Sequence, residues 1–341
     1  MAFCLFGVSF PSVAQEITRT KSAVTYEEVY DEPYAINKLF LQFQPLYGEV
    51  FATNVNAGYG LEAHYFYQDK ANFKALFRKT YSSSFYDLNR DLAKQVSDVD
   101  NEARVFSYFE FGGTYHAKDA EKSSKTKMFL YEKVYTKNAW AAMVPLNAEI
   151  PCKVRTIYGA RLGGIVWASS VDVNRALEAQ GLVNDDLKNS EGNGLPDNID
   201  IFSNISSGGL YMGGSITWIR NIAVNFDKFE AGVDDLILTT YFDILYSPSL
   251  ELDDIVYTPK DVNGVGIVDQ RRTYDIGPLK TKSFGFRAGI EGKFNRTLSW
   301  AYGGEIGYRP SVEGQGFFAM LKISIPVFST NLDYKVEAFG K

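Results

Sequence analysis

The feature that most constrains the fold of this chain is a strict alternation of apolar and polar residues, sustained over segments as long as residues 54–67. Successive side chains of a β-strand point to opposite faces, so a period of two predicts strands with one apolar and one polar face. Nowhere does the sequence contain 18 consecutive apolar residues, which excludes a transmembrane helix. The alternation therefore predicts an all-β protein.

Twelve segments carry this pattern with different clarity. In the clearest ones, Phe284, Phe286 and Ile290 oppose Arg287 and Glu291. The clear segments are 54–67, 153–168, 283–293 and 298–309. The less regular segments are 73–81, 103–116, 207–218, 236–246 and 317–327, and the weakest are 39–47, 127–135 and 138–148. Together they predict about 12 strands, with 10–14 possible because segment boundaries are the least certain part of such an assignment.

The length of the segments favours a membrane barrel over a soluble β-sandwich. Strands of soluble sheets usually have about 5–6 residues, whereas a tilted strand needs about 9–11 to cross a bilayer. The polar faces are rich in Arg, Glu, Lys and Gly, which suits a lumen, while the apolar faces suit lipid. We therefore expect a transmembrane antiparallel up-and-down β-barrel over residues 38–327, with a soluble exported β-sandwich that binds a ligand as an alternative.

The lengths of the connections predict an orientation for this barrel. With 12 strands and the N-terminus in the periplasm, the long connections all follow odd strands and emerge on the outer surface: 82–102, 169–206 and 247–280. The shorter links on the periplasmic side are 68–72, 117–126, 149–152 and 294–297. Long outer loops and short periplasmic turns are typical of outer-membrane barrels. This interpretation takes residues 219–229 as the tail of the eighth strand.

The two ends of the chain fall outside the alternation. Residues 1–14 form an apolar run in which Ser12 and Ala14 match the small residues before a signal-peptide cleavage site, although no basic residue precedes it. The alternative is a buried first strand. Residues 15–37 are polar and acidic, and we expect a periplasmic lead-in that is either disordered or docked under the barrel. Residues 328–341 are expected to be a periplasmic tail.

By this pattern, the chain resembles outer-membrane β-barrel proteins, and its signal ending in Ala-Gln resembles those of exports of the Bacteroidota. The resemblance covers the architecture of residues 36–327 only. It implies an outer-membrane location, contact with outer-membrane lipid and no residue-level function. The formal net charge of -6 argues against a nucleic-acid partner, since phosphate binding requires a basic face.

Nine titratable residues on the polar faces are expected to line the lumen: Glu62, His64, Arg155, Arg161, Arg287, Glu291, Lys293, Glu305 and Arg309. Because they mix both signs, they predict either a salt-bridged network that fills a narrow barrel or the lining of a channel. Trp140, Trp218, Trp300, Tyr246 and Tyr308 are candidates for the aromatic belts at the membrane interfaces.

Chemistry-bearing motifs are scarce. The two histidines, His64 and His116, could serve a Ser-His-acid hydrolase, but the sequence has no Gly-x-Ser-x-Gly and no His-Glu-x-x-His. After signal cleavage, Cys152 would be the one remaining cysteine, which excludes an internal disulfide. Residues 189–200 imitate an EF-hand loop, yet begin with Asn189 and end with Asp200, so a solvated loop competes with calcium binding.

These observations predict a non-enzymatic protein without cofactor, metal or catalytic residues. We expect either a narrow pore or a subunit of a larger outer-membrane transport, secretion or assembly complex. Protein partners would bind residues 15–37 or the outer loops. An outer-membrane hydrolase of the lipase or protease type is the alternative from another functional class.

Overall fold

The structure is a computed structural model that describes residues 24–51, 54–81, 90–91, 98–130, 146–227, 229–260, 266–296 and 300–329. Strands dominate the described residues, with one α-helix and three single 3-10 turns. In chain order the elements are β1 (Tyr26–Asp31), β2 (Leu39–Phe51), β3 (Asn54–Tyr67), β4 (Ala71–Thr80), β5 (Arg90–Asp91), β6 (Ser107–Leu130), β7 (Leu146–Asp172), α1 (Val173–Gln180), β8 (Phe202–Ile219), β9 (Ile222–Phe226), β10 (Gly232–Asp234), β11 (Leu236–Leu252), β12 (Ile255–Tyr257), β13 (Arg272–Tyr274), β14 (Thr281–Lys282), β15 (Phe284–Phe294), β16 (Ala301–Tyr308), β17 (Ser311–Val312) and β18 (Phe317–Ser329).

Ten of these strands close into an antiparallel β-barrel. Its members are β2, β3, β4, β6, β7, β8, β11, β15, β16 and β18. Each of the ten pairs with the next one along the chain, and β2 also pairs with β18, with Phe51 opposite Phe318 and Phe40 opposite Ser329. The barrel wall is therefore one closed sheet, and the alternative of a β-sandwich is wrong.

The prediction of about 12 strands is too high, because β6 and β7 each span two segments that were predicted as separate strands. Their pairing runs from Ser107 opposite Ala168 to Leu130 opposite Leu146, with one irregularity at His116. The predicted links 117–126 and 149–152 are thus inside these two strands. Residues 127–130 of the predicted strand 127–135 end β6, residues 146–148 of 138–148 begin β7, and 131–145 lie outside the described residues.

The extra length of β6 and β7 projects beyond the barrel wall as a long hairpin. There, a small sheet in the order β1-β9-β10 packs against it. The contact contains Met128, Ile150 and Cys152 from the hairpin and Val224 and Phe226 from the small sheet, all buried. Residues 219–229 therefore contain a separate strand, β9, contrary to the expectation of a strand tail, but this strand lies outside the barrel wall.

The two ends of the barrel differ. The end with this hairpin, called the hairpin end, also receives residues 24–37 and the short connections 68–70 and 295–300. The opposite end, called the loop end, carries the described residues of the three long connections 81–106, 173–201 and 253–283. Buried apolar residues of these connections cover that opening, among them Leu177, Leu195 and Ile255. Helix α1 lies here, capped by the Asp172 side chain and ended by Gly181 at φ 69°.

The outer surface of the wall is apolar on every barrel strand. Exposed outward-facing residues from the ten strands include Leu41, Leu61, Phe73, Phe111, Leu162, Met212, Phe242, Phe286, Ile306 and Leu321. The inner face is polar, so the wall reverses the arrangement of a water-soluble protein. In the described part of the chain, no helix has the length and apolar character needed to cross a bilayer.

Candidate functional site in the barrel lumen

The nine residues predicted to line the lumen all lie on the inner side of the wall. Eight of them are buried, and the Glu291 side chain is 14% exposed. Their position follows from the alternation, because the neighbours of each along its strand point outward. Arg155 lies nearest the hairpin end, Arg309 lies near the loop end, and the other seven occupy the levels between them.

An arginine pair holds the middle of the lumen. Arg287 donates to both oxygens of Glu110 at 2.7 and 2.8 Å, and its Nε donates to Asp243 at 2.8 Å. Arg161 approaches Asp243 from the other side, with its Nε 2.9 Å from Oδ1. The Tyr108 hydroxyl accepts from Arg287 at 2.9 Å and donates to Glu110 at 2.8 Å. Such charge-assisted pairs fix both the spacing of the strands and the direction of each side chain.

Tyrosine rings stack on these guanidinium groups and fill the remaining space. The Arg161 guanidinium carbon lies 4.1 Å from the ring centre of Tyr241, and that of Arg287 lies 4.5 Å from the Tyr211 ring. The Tyr211 ring requires glycine at position 163 on the neighbouring β7 and at position 112 on β6 beyond it, since a Cβ at Gly112 would lie 1.9 Å from its hydroxyl oxygen. Small and large residues thus alternate across the lumen, as in other filled barrels.

A second charged layer lies toward the loop end. Arg309 donates to both oxygens of Glu49, at 2.9 and 2.6 Å, and lies 4.2 Å from the Phe318 ring. Arg78 is fully buried, with its Nη2 3.8 Å from Glu305 and its Nε donating to Gln44 at 3.2 Å. Closer to the loop end than this layer, Phe51, Phe106 and Trp167 belong to the apolar cluster that covers the opening.

The hairpin-end half of the lumen contains lysines and a cavity. Lys322 donates to Glu62 and Glu291 at 2.5 and 2.8 Å, and Lys74 donates to Glu291 at 2.5 Å. His64 is hydrogen-bonded to Glu62 through Nε2. These residues, together with Lys293, line a cavity of about 40 Å³. A buried apolar layer lies between the cavity and the hairpin end and consists of Phe40, Phe66, Ile157, Ile219 and Ile237.

Glu62, His64 and Glu291 are the residues that could hold a metal ion, since their ligand atoms lie within 4.8 Å of one another. Two carboxylates and an imidazole form a donor set that first-row metals accept. However, the ammonium groups of Lys74 and Lys322 already occupy these carboxylates. A divalent cation would have to enter beside two positive charges, so this arrangement disfavours a metal.

The histidines do not form a hydrolase triad with a serine. His64 contacts Glu62, and Nδ1 of His116 lies 3.1 Å from the carbonyl oxygen of Asp69. No serine hydroxyl of the described residues is hydrogen-bonded to either imidazole. Both side chains are buried, His64 in the cavity wall and His116 near the hairpin end.

Arg155 belongs to the hairpin end and is separated from the other eight. Its Nη2 donates to Asp69 at 2.8 Å and to Asp119 at 2.5 Å, while its guanidinium carbon lies 4.3 Å from the Tyr34 ring. The lead-in is thus held on the barrel by a lumen residue. Tyr30 of the lead-in lies on Arg296 in the same way, with a separation of 4.3 Å, and burial raises the pKa of Tyr30 to about 12.

In the loop that imitates an EF-hand, side-chain oxygens are occupied by hydrogen bonds and an ion pair within the protein. The carboxamide oxygen of Asn189 accepts from the backbone N–H groups of Glu191 and Asn193 at 3.0 and 2.9 Å. Glu191 is paired with Arg272 at 3.1 Å. This is the geometry of a turn stabilised by an Asn side chain. It favours the interpretation of a solvated loop.

The candidates for aromatic belts lie at both ends of the wall. Trp218 and Trp300 face outward near the hairpin end, whereas Tyr246 and Tyr308 lie near the loop end. Trp300 packs beside Tyr302, with ring centres 5.8 Å apart. Trp140 lies outside the described residues.

Sequence reasoning missed several partners of the predicted residues: Glu49, Lys74, Arg78, Asp243 and Lys322. Four of them lie on the inner face of predicted strands whose alternation is less regular, and Glu49 lies two residues beyond the weak segment 39–47. The signal was available in 73–81, where Lys74, Leu76 and Arg78 share one face. Which charges meet across the lumen was not available, because that depends on the stagger of strands distant in sequence.

No family model matches this chain, and no curated protein matches it either. The arguments on function therefore rest on the geometry described above.

Proposed function

We propose that this chain is an exported outer-membrane β-barrel protein without enzymatic activity, and that it serves as a scaffold subunit of a larger outer-membrane transport, secretion or assembly complex. The observation that carries the membrane location is the reversed polarity of the wall. Side chains such as Phe111, Leu162, Met212 and Leu321 are each more than half exposed, while Arg78, Arg155 and Arg287 are fully buried. Water favours the opposite distribution, whereas a bilayer around the wall favours this one.

The height of the apolar surface fits a membrane. On β18, outward-facing apolar residues extend from Phe317 to Val327. At about 3.3 Å per residue and a tilt of about 40°, this stretch covers roughly 25 Å along the barrel axis. That height equals the apolar band of outer-membrane barrels. Exposed Trp300 and Tyr246 lie near the two limits of the band, where aromatic side chains anchor a barrel.

The filled lumen favours a scaffold over the narrow pore. Between the two ends, the paired arginines, Tyr211 and Tyr241 occupy the middle of the barrel. Apolar layers close the space on both sides, with Phe40 and Phe66 toward the hairpin end and Phe51 and Phe318 toward the loop end. An ion crossing the barrel would have to break buried ion pairs and pass two apolar layers.

The surfaces left for partners are at the ends of the barrel. The described part of the lead-in packs on the hairpin end through Tyr30 and Tyr34, so its inner side is occupied. The larger exposed surfaces are the connections of the loop end, where Val183 and Val268 are 58% and 76% exposed. We propose that these connections, which would face the outside, carry the contacts with other subunits.

Three measurements test this function. We expect the protein to remain in the membrane pellet after a carbonate wash, to show no single-channel steps in planar bilayers, and to bring down partner proteins from detergent-solubilised outer membranes. Extraction by carbonate without detergent would contradict the membrane location. Regular single-channel steps from purified protein would replace the scaffold by the narrow pore.

A further inference from the structure

Among the described residues, the lumen charges other than those around Arg155 can be matched one to one, except for a single lysine. Six carboxylates each have a cationic partner within 4 Å: Glu110 with Arg287, Asp243 with Arg161, Glu49 with Arg309, Glu305 with Arg78, Glu62 with Lys322 and Glu291 with Lys74. Arg155 is matched by Asp119 and Asp69 at the hairpin end. Lys293 is the seventh lumen cation besides Arg155, and no carboxylate of the described residues lies within 4 Å of its ammonium group.

The surroundings of Lys293 provide no other partner. Its side chain is 9% exposed, and its ammonium nitrogen lies 4.7 and 5.1 Å from the ring centres of Phe40 and Phe66. Within the described part of the chain it makes no hydrogen bond, although it lines the cavity. Ring faces attract a cation weakly, and they do not replace the water that the ammonium group loses on burial.

The remaining lining of the cavity suits an anion. Lys74 and Lys322 line the same space as Lys293, and Thr114, Ser215 and Thr217, which carry hydroxyl groups, also line it. These groups are all donors for a negatively charged ligand. The two carboxylates of the cavity, Glu62 and Glu291, are already paired with lysines, so the local excess is one positive charge.

We propose that this cavity binds a small monovalent anion, of the size of a halide or a simple carboxylate, against the ammonium group of Lys293. The anion supplies the seventh negative charge for the seven lumen cations other than Arg155. The size follows from the cavity, whose volume of about 40 Å³ has room for one small ion between Tyr211 and Phe66. The proposal is independent of the proposed function, since it concerns the interior of the barrel in any surrounding.

The test uses bromide as the probe, because it can be located by anomalous scattering. The full chain is refolded in detergent with sodium bromide or with sodium gluconate at equal ionic strength, and a crystal from bromide is examined. We expect an anomalous peak in contact with Lys293 Nζ, and an unfolding temperature that rises with bromide concentration, as for any ligand that binds the folded state alone. A water molecule alone at this position, or an unfolding temperature equal in both salts, would overturn the proposal.

A pair of lysine variants separates this site from general salt effects. Lys293→Met removes the ammonium group and leaves an apolar side chain on Phe40 and Phe66. We expect this variant to be at least as stable as wild type in gluconate and insensitive to bromide. Lys79→Met, which removes an exposed lysine of β4, should keep the full bromide effect. Retention of the bromide effect in Lys293→Met would also overturn the proposal.

Discussion

Individual charged side chains of the lumen are unfavourable to bury in terms of free energy, and each is paired with specific partners. Arg78, Arg155 and Arg287 are fully buried, and each would be unfavourable there without its partners. The bidentate contact of Arg287 with Glu110 joins β15 to β6, which are not neighbours in the wall. Contacts of this kind hold opposite sides of the barrel at a fixed distance.

Replacing Arg287 should therefore destabilise the barrel strongly. In Arg287→Gln, Glu110 and Asp243 lose a buried partner, and we expect the free energy of unfolding to fall by about 3–5 kcal/mol. Urea titration of the barrel in lipid vesicles, followed by tryptophan fluorescence, measures this change. The control is Arg271→Gln, whose exposed side chain lies 3.8 Å from Asp100 and should contribute less than about 1 kcal/mol. Equal unfolding curves for both variants would show that the network does not stabilise the barrel.

Among the strands, the parts inside the wall and the parts beyond it at the hairpin end differ in their alternation of apolar and polar residues. Within the wall, each strand has an apolar outer face and a polar lumen face, and the sequence alternates accordingly. Beyond it, residues 117–125 of β6 are mostly exposed on both faces and lose the alternation, while the partner strand continues opposite them. This explains why two long strands were predicted as four short ones.

A charge on the outer face of the wall provides a direct test of lipid contact. Leu162 faces outward from the middle of the barrel part of β7 and is 61% exposed. In a bilayer, Leu162→Arg should lower the free energy of unfolding by about 2–4 kcal/mol. Val183→Arg changes a residue with similar exposure, 58%, in a connection of the loop end, and it should have little effect. If the two variants fold equally well into lipid vesicles, the wall at Leu162 does not face the hydrocarbon.

The small sheet of the hairpin end should be separable from the barrel. Val224 is completely buried between β9 and the long hairpin, in the same cluster as Cys152. In Val224→Asp, an unpaired carboxylate in this cluster should detach the sheet and expose the Cys152 thiol, while the closed wall persists. Maleimide labelling of the folded chain, in a Cys4→Ser background, measures the exposure.

Its control is Val183→Asp at the loop end, where labelling of Cys152 should stay as slow as in wild type. Slow labelling of Cys152 in the Val224→Asp variant would mean that the small sheet remains attached. Loss of the barrel itself, seen as complete unfolding, would mean that the two parts fold as one unit.

For the whole molecule, the sequence predicted the class of fold, the inner and outer faces and nine lumen residues. It could do so because a period of two is a local property that survives in every wall strand. The number of strands, the small sheet and the pairs across the lumen depend on contacts between distant segments. The contact of Tyr34 with Arg155 is of this kind, since nothing near either residue identifies the other.

The wall should open first where its first and last strands meet. The pairing of β2 with β18 is interrupted twice, next to Ile323 and next to Pro326, and Pro326 has no N–H to donate. By contrast, β7 pairs with β8 without interruption from Arg155 to Asp172. Hydrogen exchange in lipid nanodiscs should therefore be faster at the amides of β18 than at those of β8. Equal protection along both strands would contradict a weak seam.

The pairing of the first wall strand with the last one also limits when during synthesis the barrel can fold. Because Phe40 pairs with Ser329 and Asn37 binds Asn295, the N-terminal strand has no completed neighbour on one side until the last strand has been synthesised. Partly translated chains expose an unpaired apolar strand, which is a hazard for aggregation. Folding after release of the complete chain, rather than during translation, is the route that this topology permits, and we expect a chaperone to hold the unfolded chain until then.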